Sequence, residues 1–175
     1  VIGNISAATV TIAANTTLSN SGDISGITVV GGVIGNISGI SATTFSNAAT
    51  ATAVGVSTAG DVTSTGNVIG GVIGQCTSPN IVIGGVINAS KVTGATYVGG
   101  IIGNMSRGTL GVPGETISNT GEVTAQGNYI GGVVGIINDT AIIIAAGSAL
   151  SNSAAIMGSA YVGGIAGGIN NMAAT

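Results

Sequence analysis

Apolar and polar residues alternate over short segments of this chain. Asp61-Val62-Thr63 and Thr9-Val10-Thr11-Ile12 switch polarity at each step, which is the period-two pattern of a half-buried strand. The segments end at Gly, Asn or Ser, which favour tight turns. No stretch carries a helical stripe of useful length, and Ile142-Ile143-Ile144 is best interpreted as a buried strand. The pattern therefore predicts an all-β chain of short strands.

A pair of glycines followed by apolar residues recurs along the chain. The fullest copy is residues 97–104, Tyr-Val-Gly-Gly-Ile-Ile-Gly-Asn, and Gly99, Gly131 and Gly163 lie 32 residues apart. The spacing from Gly70 to Gly84 is 14 and from Gly84 to Gly99 it is 15. The repeat of about 32 residues is therefore either one wide coil or two coils of about 16 residues each. The predicted structural repeat glycines are Gly31, Gly32, Gly70, Gly71, Gly84, Gly85, Gly99, Gly100, Gly131, Gly132, Gly163 and Gly164.

Two shorter motifs lie between the glycine pairs. One is a glycine followed by an acid, at Asp23, Asp61 and Glu122. The other is an apolar residue followed by Ser-Asn. Its copies are Leu18-Ser19-Asn20, Phe45-Ser46-Asn47, Ile117-Ser118-Asn119 and Leu150-Ser151-Asn152.

Short strands at a fixed period, with small residues at the corners, are typical of a solenoid. We predict one right-handed parallel β-solenoid domain over residues 1–175, with coils about 4.8 Å apart. Equivalent residues should then form ladders, an aromatic one of Tyr97, Tyr129 and Tyr161 and an amide one of Asn36, Gln75 and Asn104. The predicted core takes one residue from each of the pairs Val33-Ile34, Val72-Ile73, Ile101-Ile102 and Val133-Val134.

The repeat resembles the GLUG motif. The resemblance rests on residues 97–104 and on turns such as residues 119–123, Asn-Thr-Gly-Glu-Val, and it covers most of the chain in six copies and a fragment. The copies at Gly84 and Gly163 depart from the motif at Asn88 and Gly168. The resemblance implies a repeat module of large bacterial or archaeal cell-surface and adhesin-like proteins, outside any catalytic domain.

Composition excludes several functions. Charged residues make up 4% of the chain, and there is no His and only one Cys. Lys91 and Arg107 alone cannot form the basic stripe of a nucleic-acid binder. No apolar run approaches the roughly 20 residues of a membrane span. Without His, and with Ser90 and Lys91 on opposite faces of a strand, we predict no catalytic residue, no metal ligand and no cofactor.

The repeated motifs also have structural interpretations that we prefer to binding ones. The glycine pairs lack the order and the following helix of a dinucleotide loop, so we assign them to coil corners. The recurring acids give one carboxylate per coil, whereas calcium takes six to eight oxygens, so we assign them to turn capping. Thr-rich segments such as residues 63–65 do not share one repeat phase, which argues against a flat ice-binding face.

Six Asn-x-Ser/Thr sequences are candidate N-glycosylation sites. Glycans there would supply hydration that the few charges do not, and the alternative is that these asparagines serve turns or ladders. The sites are Asn4, Asn15, Asn36, Asn88, Asn104 and Asn138.

The chain begins inside a repeat without Met, which indicates a processed or partial segment of a longer surface protein. We expect a structural, non-catalytic protein at the cell surface or outside the cell, whose repeats self-assemble into a fibre, sheath or filament. In such a polymer, the strand at Val1-Ile2-Gly3 should pair with the coil at 165–170 of a neighbouring copy. One alternative is an adhesin repeat module that binds a host or surface glycan. Another is an amyloid-like cross-β fibril.

Overall fold

The chain folds into a parallel β-solenoid. The computed structural model describes residues 2–6, 18–39, 43–45, 56–78 and 81–170. No α-helix occurs within these ranges, and all strand pairs are parallel. The all-β solenoid prediction is therefore confirmed.

The described residues form 23 strands, most of them three to five residues long. The short Val-, Ile- and Thr-rich segments between glycines and asparagines supply them. In chain order they are β1 (Ile2–Ser6), β2 (Leu18–Asn20), β3 (Ile24–Gly26), β4 (Val29–Gly31), β5 (Ile34–Ser38), β6 (Thr43–Phe45), β7 (Val56–Thr58), β8 (Val62–Ser64), β9 (Val68–Gly70), β10 (Ile73–Cys76), β11 (Ile81–Ile83), β12 (Val86–Asn88), β13 (Val92–Gly94), β14 (Tyr97–Gly99), β15 (Ile102–Leu110), β16 (Thr116–Asn119), β17 (Val123–Ala125), β18 (Tyr129–Gly131), β19 (Val134–Ile144), β20 (Ala149–Asn152), β21 (Ile156–Met157), β22 (Val162–Gly163) and β23 (Ala166–Asn170).

Each coil passes through four sheets in turn. Sheet 1 has eight strands, and six of them follow one another along it: β1, β5, β10, β15, β19 and β23. The later part of β15 also pairs with β11, and β11 pairs with β6. Sheet 2 runs β2-β7-β12-β16-β20, sheet 3 runs β3-β8-β13-β17-β21, and sheet 4 runs β4-β9-β14-β18-β22. The glycine pair forms the corner between sheet 4 and sheet 1.

One coil corresponds to one whole repeat, so the alternative of two shorter coils is wrong. Ile2 pairs with Ile34, Ile102 with Val134, and Val134 with Ala166, which is the spacing of the repeat itself. The second coil is longer, since Ile34 pairs with Ile73, and the third is shorter, since Ile73 pairs with Ile102.

Five of the six predicted glycine pairs occupy one column. Gly31, Gly70, Gly99, Gly131 and Gly163 are register partners in sheet 4. The pair Gly84-Gly85 is the exception, because Ile81–Ile83 pairs with Thr43–Phe45 in sheet 1, and Val86–Asn88 pairs with Ile117–Asn119 in sheet 2. Gly84 and Gly85 therefore turn the chain between sheets 1 and 2, and they are not a copy of the main glycine corner.

The Ser-Asn motif shows the same effect of the unequal coils. Leu18, Ile117 and Leu150 share a column of sheet 2, but Phe45 pairs with Ile83 in sheet 1. In the second coil, β7 takes the place in sheet 2 that Phe45-Ser46-Asn47 was predicted to hold. The third copy in sheet 2 is Val86-Ile87-Asn88, whose third residue is also asparagine.

The core contains both residues of each apolar pair after the glycines, not one as predicted. Ile101 and Ile102 are both fully buried, as are Val33 and Ile34. The first residue of each pair lies in the corner bend, where the side-chain alternation of a strand does not apply. These residues belong to the larger of two apolar clusters, and a smaller cluster containing Ile69, Val98 and Ile130 fills the coils behind sheets 3 and 4.

Candidate functional site

An inner ladder of asparagines runs along sheet 2 where each strand ends. Asn88, Asn119 and Asn152 are register partners, and Asn88 and Asn119 are fully buried. The Asn88 Nδ2 donates to the Asn119 Oδ1 at 2.8 Å, and the Asn119 Nδ2 donates to the Asn152 Oδ1 at 2.8 Å. The column begins at Asn20, with the backbone of Thr58 in the second coil. Sequence reasoning noted the Ser-Asn motif but assigned it no ladder.

Each inner asparagine also closes its own turn. The second amide N–H donates to a backbone carbonyl two residues later: Asn88 to Ser90, Asn119 to Gly121 and Asn152 to Ala154, at 2.9, 2.9 and 3.0 Å. Buried amides require such partners, since each unsatisfied polar group costs about 1–3 kcal/mol. The ladder therefore fixes both the turn within a coil and the register between coils.

The second glycine of three corners makes room for this ladder. A Cβ on Gly100 would clash with the carbonyl oxygen of Gly132 and with the side chain of Asn119. Gly71 faces Asn88 in the same way, and Gly132 faces Asn152. The glycine pair and the Ser-Asn motif are thus two parts of one packing arrangement.

The inner ladder is polar along its length. From Asn88 onward each coil donates to the next, so the Asn152 Oδ1 accepts from Asn119, and the second N–H of Asn152 has no partner among the described residues. At the other end, no described residue precedes Asn20 in the column. The first and last described rungs of this ladder therefore differ in hydrogen-bonding character.

The predicted outer amide ladder has the expected register. Gln75 is the partner of both Asn36 and Asn104. The Asn36 Nδ2 donates to the Asn4 Oδ1 at 2.8 Å. Farther along, the Asn138 Nδ2 donates to the Asn104 Oδ1 at 3.3 Å. Its bonds run from later to earlier coils, opposite to the inner ladder.

The three tyrosines form a column at the start of the sheet 4 strands. The ring centroids of Tyr97 and Tyr129 are 5.5 Å apart with planes tilted by 31°, and those of Tyr129 and Tyr161 are 4.9 Å apart and stacked. Neighbouring rings thus cover one another's faces, and Tyr161, which is 63% exposed, presents an outer face. Val68 and then Val29 continue the column toward the first coil.

The recurring acids share a column with Lys91. The registers of sheet 3 place Asp23, Asp61, Lys91 and Glu122 in successive coils. The Lys91 Nζ lies 3.2 Å from the Glu122 Oε1, and Thr124 donates to the same oxygen. This hydrogen bond from Thr124 and the Lys91 charge lower the pKa of the Glu122 carboxyl. Within the described ranges, no three His, Cys, Asp or Glu side chains come together to hold a metal.

The candidate glycosylation sites fall into different environments. Asn88 is fully buried and its Nδ2 is hydrogen bonded, so a glycan there is incompatible with the folded chain and that part of the prediction is wrong. Asn104 is also buried, at 9% exposure. Asn4 is exposed and Asn36 and Asn138 are half-buried, so these three stay predictions. Asn15 lies outside the described residues.

The remaining reactive groups of the described residues do not come together. Cys76 is buried, and this burial raises the pKa of its thiol to about 11. Ser90 is buried while the Lys91 side chain is 48% exposed, so the two point to opposite faces. The Ser90 Oγ has no hydrogen-bond partner among the residues that the structure describes.

Large apolar side chains are exposed chiefly on the last coil. The first coil contributes Ile27, together with a depression of about 240 Å³ lined by residues that include Ile2, Ile24 and Val30. The exposed residues of the last coil are Ile144, Met157, Tyr161, Val162, Ile165 and Ile169. Exposed apolar groups that form a contiguous patch mark interaction sites.

These features define a parallel β-solenoid repeat protein with ladders along its length. Comparison of the chain with protein-family models, curated proteins and solved structures finds no match. The GLUG resemblance therefore stays a prediction from the repeat itself. Among the described residues, no helix is long and apolar enough to cross a membrane.

Proposed function

We propose that this chain is a structural, non-catalytic protein of the cell exterior whose solenoid units assemble end to end into a filament. The observation that carries the proposal is the recurrence of one tripeptide in the first and last rungs of sheet 2. Leu18-Ser19-Asn20 and Leu150-Ser151-Asn152 are identical and occupy the same column. The first and last described rungs of sheet 2 are thus members of one repeat.

The chemistry of the last coil supports the same proposal. Among the described residues, no strand pairs with the outer edge of this coil, its large apolar side chains are exposed, and few charges oppose pairing. Natural β-proteins block such edges with charges, bulges or covering segments. A surface of this kind favours the addition of another β-strand.

The Tyr column bears on the alternative of a glycan-binding adhesin module. Sugars bind proteins by stacking on aromatic ring faces, and here neighbouring rings cover the inner faces. The column presents ring edges along the side of the solenoid and one outer face at Tyr161. This geometry favours stacking of another coil over a lateral glycan site.

Electron microscopy of the purified chain tests the proposal. A filament protein should form unbranched polymers at high concentration, whereas an adhesin module should stay as single particles. Single particles at every concentration, together with binding to a glycan array, would favour the adhesin alternative.

A further inference from the structure

We propose that the Tyr column is a site of oxidative crosslinking, at which Tyr129 forms a carbon–carbon bond with Tyr97 or with Tyr161. The oxidant is hydrogen peroxide used by a haem peroxidase, and the product is a dityrosine that joins two neighbouring coils. This inference goes beyond the proposed function and does not depend on filament assembly, because both rings of each pair belong to one chain.

The parallel register of sheet 4 brings the rings together. Tyr97 and Tyr129 are register partners at the start of β14 and β18, and Tyr161 precedes β22 in the next coil. Neighbouring tyrosines are 32 residues apart in the sequence, yet their ring centroids are only 5.5 and 4.9 Å apart. These distances are within the range of aromatic pairs in contact. Val68 occupies the column position before Tyr97, so the run of rings begins at Tyr97.

The crosslink forms from two oxidised rings that lie side by side. Each phenol loses one electron and one proton and becomes a phenoxyl radical, whose unpaired electron is shared with the two Cε carbons. A bond then forms between one Cε of each ring, and the hydrogen on each of these carbons moves to oxygen as the phenols are restored. The pair has lost two electrons and two protons, which reduce one hydrogen peroxide to two waters.

The contact between neighbouring rings favours this bond over other reactions of the radical. Groups that are held together react as if their concentration were far above any reached in solution. The stacked rings need only turn about their side-chain bonds to bring two Cε atoms together. Tyr97 and Tyr129 are half-buried, so the sheet fixes their position while part of each ring stays accessible to solvent.

Few other side chains compete for the radical. Trp and Cys are the residues that most readily return an electron to an oxidised tyrosine. The chain contains no Trp, and its one cysteine, Cys76, is buried in sheet 1. Oxidation of cysteine depends on its exposure, so the folded chain leaves the tyrosines as the favoured site of coupling.

A dityrosine would stabilise the solenoid by tying one coil to the next. A bond between Tyr97 and Tyr129 closes a loop of one coil in the unfolded chain and lowers its conformational entropy, as a disulfide does. We expect the midpoint of thermal unfolding to rise by roughly 10 °C after crosslinking. An unchanged midpoint in the crosslinked chain would overturn this stabilising role.

Three variants with two tyrosines each test the geometry. Tyr97→Phe, Tyr129→Phe and Tyr161→Phe keep a ring at every position of the column, so stacking and folding should be preserved. Tyr97→Phe and Tyr161→Phe each retain one neighbouring pair, whereas Tyr129→Phe leaves its two tyrosines on alternate coils. After treatment with peroxidase and hydrogen peroxide, dityrosine fluorescence should be at least about tenfold weaker in Tyr129→Phe than in the other two.

The same variants unfolded in urea are the matched control. The two tyrosines are then 64 residues apart in Tyr129→Phe and 32 apart in the other two variants. Doubling the length of a flexible loop lowers its probability of closure only about threefold, so the tenfold difference should disappear. A photoactivated ruthenium complex with persulfate, which works in urea, serves as the oxidant for both the folded and the unfolded variants in this comparison.

Peptide mapping identifies the linked residues in the parent chain. Glu122 lies between Tyr97 and Tyr129. Asp139 lies between Tyr129 and Tyr161, so cleavage at acidic residues separates all three tyrosines. Mass spectrometry should find the Tyr129 peptide joined to one of its neighbours with the loss of two hydrogen atoms. The yield should not change with protein concentration, because the reaction occurs within one chain.

The outcomes separate this inference from the proposed function. Equal dityrosine yields from the three folded variants, or links mainly between separate chains, would overturn the inference and leave the filament proposal standing. A chain that crosslinks through Tyr129 as expected, but forms no polymer at any concentration, would support the tyrosine site while the filament proposal fails.

Discussion

At the residue scale, the inner asparagines stabilise the solenoid because each one makes several hydrogen bonds. Asn119 takes part in three side-chain hydrogen bonds, to Asn88, Gly121 and Asn152. Inside a protein, an amide that satisfies several partners links the elements around it, and its loss leaves each of them unpaired.

We therefore expect Asn119→Ala to lower the free energy of unfolding by at least about 2 kcal/mol, since it leaves several buried polar groups without partners. Urea denaturation measures the change. The matched control is Asn36→Ala in the outer ladder, where the half-buried amide can exchange its lost partner for water and the loss should stay below about 1 kcal/mol. Equal losses for the two variants would contradict the structural role of the inner ladder.

The buried thiol of Cys76 makes the stability of the fold depend on pH in the alkaline range. Because the pKa of Cys76 rises from 9.0 to about 11 on burial, the folded chain holds the thiol proton while the unfolded chain releases it. The stability that the protonated thiol contributes is fully present below pH 9. It is lost as pH rises toward about 11, and the free energy of unfolding falls by about 2–3 kcal/mol in all. Thermal melts from pH 8 to pH 11 should show this slope in the parent chain and a weaker slope in Cys76→Ala.

At the scale of elements, the corners decide which side chains are buried. The sequence pattern correctly predicts short parallel strands, the column of five glycines and the stack of tyrosines. It also predicts that only one of Ile101 and Ile102 points inward, because a period of two applies within a strand. Ile101 lies in the bend before β15, and the turn of the chain there directs both side chains into the core.

Ile101→Asp and Ile102→Asp should therefore destabilise the fold to a similar degree, by several kcal/mol, since each loses its burial and introduces an unpaired buried charge. Ile87→Asp is the control, because Ile87 alternates with the buried Val86 and Asn88 on β12 and is only half-buried. Thermal denaturation compares the three. A stable Ile101→Asp beside an unfolded Ile102→Asp would restore the simple alternation.

The motifs that sequence reasoning misplaced share one physical cause. Gly84-Gly85 and Phe45 match the repeat in residue type, yet the second coil is longer than the other repeats and the third is shorter. The local sequence does not show such a change in coil length, because the pairing of strands between coils decides which residues are register partners. For the same reason the inner asparagine ladder was visible only as a recurring Ser-Asn motif, and its glycine partners became apparent only when neighbouring coils were brought together.

At the scale of the whole molecule, the first and last described coils differ. The inner ladder donates from earlier to later coils, and the large exposed apolar residues lie chiefly on the last described coil. Main-chain hydrogen bonds and apolar burial would dominate contact between such coils, and salt screens neither of them strongly. A contact built on surface charges would weaken as ionic strength rises.

Sedimentation velocity at increasing protein concentration, at low and at high salt, is the decisive test of end-to-end assembly. We expect the 175-residue chain to form progressively larger polymers, with a distribution that changes little between the two salt conditions. A single monomeric species throughout the concentration series, or polymers that dissociate when salt is raised, would contradict assembly through the open ends of the solenoid.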